Sequence, residues 1–179
     1  MKKNLLVAVI VASFIGVGVA SRLLDHPHNF VPLAAMAMTV GYYLQSKWGW
    51  VVAISALFVS DLFIGFYHLP VMLAVYGSYI LSWVLGRLAR SGGRGKLLPM
   101  SLFGSISFFL ITNFAVWAFT SMYAKTVSGL MLSYTMAIPF FKWTLAGDLL
   151  FLGIFIAIME LAKFAAFSEG EAGAFTFNK

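Results

Sequence analysis

Two aspartates, Asp61 and Asp148, stand inside apolar stretches of this chain, where an ionisable side chain costs about 2.5–3.5 kcal/mol on insertion scales. Each therefore asks for a partner, a wetted cavity or a function. Two such carboxylates sharing a proton would form an acid–base pair. One alone would serve as a proton relay or hydrogen-bond a solute. Gly65 and His68 follow Asp61 at i+4 and i+7, on one helical face, and a neutral imidazole is a competent metal ligand. Asn113 has Trp117 one helical turn further on, and Asn29 ends the polar run Asp25-His26-Pro27-His28-Asn29. The chain has no Cys, which excludes disulfides, thiolate metal sites and a cysteine nucleophile.

The elements that must position these groups are set by composition. The 179 residues are 61% hydrophobic and 10% charged, far more apolar than a soluble domain, which excludes a water-soluble enzyme. The reading is an all-α integral membrane protein, a single domain over residues 1–179 with six transmembrane helices, about 5–21, 31–45, 50–66, 71–87, 97–120 and 143–164. Pro32 opens the second span, Ser46-Lys47-Trp48-Gly49 is a tight turn, and Tyr67-His68-Leu69-Pro70 separates the third from the fourth. Residues 127–141 are short for a span and are expected to form a loop helix on the outward side. The first apolar run also fits a signal peptide, ending Gly18-Val19-Ala20-Ser21. Its length, and Ala8, Ala12, Gly16 and Ala20 at four-residue spacing, favour a retained span with a close-packing face.

Lys and Arg exceed Asp and Glu by 12 to 6. In a soluble chain that would suggest nucleic acid; here it reads as topology. With both termini cytoplasmic, nine basic residues fall inside (Lys2, Lys3, Lys47, Arg87, Arg90, Arg94, Lys96, Lys163, Lys179) and three outside (Arg22, Lys125, Lys142). A seventh span over 127–141 would move Lys142 inside and Lys163 and Lys179 outside, an alternative that counting leaves open. Glu160 and Lys163, at i,i+3, are expected to pair.

In the six-span arrangement Asn29, Asp61, Asn113 and Asp148, from four segments, all fall in the outer half of the membrane, with Asp148 about one turn into the last span. A pocket open to the outside would gather them. Simpler roles exist for each: an interhelical hydrogen bond for either aspartate, a turn position for His68, an interfacial belt for Trp117. His26 and His28 lack a firm metal-binding geometry.

His28-Asn29-Phe30-Val31-Pro32, Ser60-Asp61-Leu62-Phe63-Ile64-Gly65-Phe66, the stretch Phe109 to Trp117 and the stretch Pro139 to Leu149 together resemble a group of small bacterial membrane proteins. That group is related to the substrate-binding S components of energy-coupling factor (ECF) vitamin transporters. The resemblance runs from Leu5 to about Phe164. It implies a multi-pass protein of the bacterial inner membrane that captures a vitamin-like solute from outside, with Asn29, Asp61, His68, Asn113, Trp117 and Asp148 as binding residues. It implies no catalytic residues and no intrinsic cofactor. It also implies that Ala8, Ala12 and Gly16 meet an ECF coupling subunit whose partner ATPases supply the energy, unless the protein is solitary. One solitary subgroup handles cobalamin, using in certain members a cysteine near the outer end of the third helix on cobalt. His68 lies near that region here, so cobalamin is the first substrate expected, with His68 as its possible cobalt ligand. The segments 22–30 and 123–141 would form a lid, and Asp148 would anchor it through Lys142. The rivals are an ion-coupled transporter using Asp61 or Asp148, an intramembrane aspartyl protease, and a purely structural membrane protein. Leu145-Ala146-Gly147-Asp148 lacks the first glycine of the Gly-x-Gly-Asp pattern such proteases carry.

Overall fold

The computed structural model describes residues 2–44 and 46–168, which are helical almost throughout, with no strand among them. Six α-helices follow in order: α1 (Lys2–Leu23), α2 (Leu33–Tyr43), α3 (Trp50–Ile64), α4 (Leu69–Ala89), α5 (Leu97–Phe119) and α6 (Val127–Ser168). Two short 3-10 turns, Arg90–Gly92 and Arg94–Lys96, join α4 to α5. Four stretches are long and apolar enough to cross a membrane: Leu5–Leu23, Leu69–Gly92, Arg94–Phe119 and Val127–Phe164. Helices α2 and α3 are apolar but shorter.

Breaks fall where the backbone demands them. Gly65 takes φ 103°, a left-handed conformation that ends α3, and Pro70 lies in the first turn of α4, where its missing N–H leaves no helical bond unmade. Lys125 Nζ donates to the carbonyls of Trp117 and Thr120, two of the unpaired groups at the end of α5. At the opposite end of the bundle Arg90 does the same for α2. Its Nε donates to Tyr42 O (3.0 Å) and its Nη2 to Gly41 O (2.5 Å) and Leu44 O.

Helix α2 is the axis of the packing. Every residue from Leu33 to Tyr43 is buried, against α4 and α6 above all. Its close approach to α4 rests on two glycines. A Cβ on Gly86 would lie 2.1 Å from Met38 O, and one on Gly41 would lie 2.2 Å from Trp83 O. Helix α1 turns Ile10, Phe14 and Gly18 inward, with the Phe14 and Phe155 ring centroids 4.5 Å apart. Its Ala8, Ala12 and Gly16 stand on the opposite face and are exposed.

One expectation is corrected. Residues 127–141 are not a separate loop helix: they and the expected last span form one helix of 42 residues containing Pro139. A proline forfeits one helical hydrogen bond and forces a break only where the freed carbonyl cannot be accommodated, and apolar packing on a neighbour tolerates it. That neighbour is α5: Phe109 faces Tyr134 and Phe141 at 5.6 and 4.9 Å between centroids, and Ser133 Oγ donates to Asn113 O (3.0 Å). An unbroken helix also removes the seven-span alternative, which needed a reversal near residue 142. Asp148 consequently lies mid-helix, 21 residues after Val127, rather than one turn from an end.

Candidate functional site

A helix of 11 residues is about 16 Å long, roughly half the depth of a bilayer core. The C-terminal end of α2 is fixed beside Arg90 and Glu160, so its N-terminus stops midway along the bundle. Residues 24–32 cover the remaining depth as non-helical backbone. At such depth irregular backbone is tolerated where it lines a cavity or is buried in protein, and this segment lines one. Phe30 N donates to Pro27 O (3.0 Å), closing a turn in which Asn29 adopts φ 68°, a region asparagine visits more readily than most side chains. The segment is held to α6 by Phe30 against Trp143 and Phe151 (6.3 and 5.4 Å) and by His28 against Phe140 (5.6 Å).

A cavity of about 550 Å³ opens among exposed residues of this segment and is lined by Arg22, Asp25, His26, His28, Tyr67 and Tyr79, with Asn29 and Phe108. A second, of about 200 Å³, runs between α4, α5 and α6 along Phe108, Phe109, Phe140, Phe141, Thr112 and Asn113. A third, of about 20 Å³, lies against Tyr79, Thr144 and Asp148. Asn29 and Phe108 line all three.

Charge is distributed unevenly here. Arg22 Nη1 is 2.7 Å from Asp61 Oδ1 and donates to Ser60 Oγ (2.5 Å) and Leu57 O (3.0 Å), while Tyr76 OH donates to Asp61 Oδ2 (2.8 Å). Asp61 is fully buried and neutralised across the α1–α3 contact. Asp148, 4% exposed, accepts a hydrogen bond from Ser105 Oγ (2.6 Å). The two aspartates answer to different partners, Asp61 to Arg22 and Tyr76 and Asp148 to Ser105.

Of the expected site residues, Asn29, Asn113 and Asp148 line cavities, Asn29 being common to those of Asn113 and Asp148. Asp61 sits behind Arg22 and lines none of the three. His68 is exposed at the N-cap of α4 and Trp117 donates through Nε1 to Ala124 O (2.9 Å); neither lines a cavity. Lys142 lies over the Trp143 ring (5.3 Å) and not on Asp148. Residues 123–141 form the α5–α6 hairpin and the first turns of α6 rather than a lid. Among the described residues no group of three or more His, Asp or Glu could hold a metal ion. Arg22, Tyr79, Phe108 and Thr144 are lining residues that the sequence reading missed. Arg22 reads in sequence as topology charge, although it directly follows the first span and the buried Asp61 needs a counter-charge. The other three carry no sequence signal that separates them from ordinary packing residues.

The comparisons with known proteins add the family. The chain belongs to DUF6580. This family of unknown function matches residues 2–170, nearly the whole chain. No curated protein and no solved structure matches it. For this DUF6580 member the cavity system therefore carries the functional argument by itself.

Proposed function

We propose that this protein captures a small organic solute in the membrane and mediates its uptake, in the manner of an S component. The observation that carries the reading is the cavity of about 550 Å³ built around residues 24–32, with polar and aromatic recesses that share Asn29 and Phe108 with it as lining residues. Its size lies within the range of sites that enclose vitamin-sized ligands. Lys47, Arg87, Arg90, Arg94, Lys96 and Lys163 stand at the opposite end of the bundle, so the positive-inside rule turns the cavity mouth outward. The exposed face of α1 supports a partner: nothing lies within 4 Å of a Cβ added at Gly16, leaving Ala8, Ala12 and Gly16 open to another membrane helix. Cobalamin, expected from the resemblance, would have to be held without His68, which stands away from the cavities.

Native mass spectrometry of the gently purified full chain, followed by equilibrium binding of a vitamin panel that includes cobalamin, tests the reading. A co-purified or saturably bound small molecule supports it, and an empty protein that binds nothing in the panel overturns it. Ala12→Trp is expected to abolish cellular uptake and leave binding in detergent unchanged. Loss of both would reject the division between a capturing cavity and a coupling face.

A further inference from the structure

Among the acidic side chains the structure describes, three are readily accounted for. Asp61 is bound by Arg22, Glu160 lies 3.3 Å from both Arg94 and Lys163, and Asp25 is exposed at the cavity mouth. Asp148 differs. It is buried mid-helix, its hydrogen-bond partner is the neutral Ser105 hydroxyl, and none of the ion pairs among the described residues reaches it. A carboxylate in such surroundings is stable only with a proton or a cation beside it.

Space for that cation exists. The recess against Asp148 is about 20 Å³, enough for one water-sized group. Four of its lining side chains, Asn29, Tyr79, Thr144 and Asp148, carry oxygen atoms able to accept from an ammonium group. Thr144, Asn29 and Phe108 also line the 200 Å³ cavity, whose walls include Phe109, Phe140 and Phe141. Aromatic faces attract cations and cover apolar bodies. The Arg22 charge at the mouth is cancelled by Asp61 and opposes no entering cation.

We propose that the solute of this site is an organic cation, its ammonium group seated in the recess on Asp148 and its apolar or aromatic body lying against Phe108, Phe109 and Phe141. The proposal rests on the capture reading and names the chemical class of the solute. It also divides the labour of the two aspartates: Asp61 is structural, and Asp148 selects for charge.

The test uses the full chain in detergent and matched probes: a set of arylalkyl ammonium compounds, each with its alcohol and carboxylate isosteres, assayed by the shift in thermal unfolding midpoint and by titration calorimetry. Ammonium members are expected to bind at least tenfold tighter than their isosteres. Asp148→Asn, which can still accept from Ser105, is expected to erase that preference. Thr144→Val should weaken the ammonium series alone and serves as the second variant if Asp148→Asn does not fold. Isosteres that bind as well as the ammonium members, in a manner indifferent to Asp148, would overturn the charge assignment and leave capture standing. Stabilisation by sodium chloride over choline chloride, lost in Asp148→Asn and unaccompanied by any ammonium preference, would replace the organic cation with an inorganic one. Failure of every probe, whatever its charge, would overturn the charge assignment and leave the capture reading to be decided by the vitamin panel.

Discussion

Removing one member of the Arg22–Asp61 pair strands the other with its hydrogen-bonding shell intact and its charge unanswered. Breaking a buried pair in this way costs about 3–5 kcal/mol, whereas replacing both members by apolar residues of similar size is often neutral. Asp61→Ala is therefore expected to lose about 3 kcal/mol or more, and Arg22→Met/Asp61→Leu to recover at least half of it, as read by unfolding of the detergent-solubilised chain. A loss in the double variant as large as the sum of the two single losses would show that the two charges are not coupled. Tyr76→Phe deletes the hydroxyl that donates to Asp61 Oδ2, a bond to a charged group worth about 1.5–3 kcal/mol. Its effect should vanish in the double variant, because the acceptor has gone.

At the scale of elements, the α2–α4 contact is made by backbone against backbone. Gly41 and Gly86 leave no room for a methyl group, and the atoms it would strike are main-chain carbonyls that cannot swing aside. Gly86→Ala should separate the two helices and destabilise the fold by several kcal/mol, on the order of an overpacked core. Gly77, on α4 as well, faces open space, and Gly77→Ala should leave the unfolding midpoint unchanged or raise it, since alanine is the better helix former. Hydropathy together with Gly and Pro made the helices themselves legible: α1 to α5 occupy the stretches read as spans, with ends shifted by a few residues. Residues 127–141 read as a separate loop helix because they are short for a span, a length rule that takes no account of α5 lying alongside and of the helix running on through Pro139. The site was legible only in part. Asn29, Asn113 and Asp148 betray themselves as polar residues in or beside apolar runs, but the pairing of Arg22 with Asp61 joins positions 39 apart. Nothing in either local pattern specifies which helix faces which.

At the scale of the molecule, α6 is about 63 Å long, twice the depth of a bilayer core. It runs from the Lys125 hairpin at the mouth end to the Glu160 cluster at the basic end. The absence of Cys gives a clean background for mapping this orientation. Single cysteines at Asp25 and Lys125 are expected to react with an impermeant maleimide added outside intact cells, and those at Lys47 and Gly92 only after lysis. The reverse pattern would turn the cavity to the other side. The burial of α2 has a further consequence, for biosynthesis. The second helix to leave the ribosome is the one the finished protein encloses most completely, yet the helices that enclose it, α4 and α6, are made later. Until α6 arrives with Leu152, Phe155 and Met159 for the core and Glu160 for the Tyr43 hydroxyl, α2 is a half-length segment lacking one of the two helices that enclose it most. A chain ending at residue 126 should accordingly be cleared by membrane quality-control proteases within minutes in a pulse-chase experiment, while one ending at residue 168 persists.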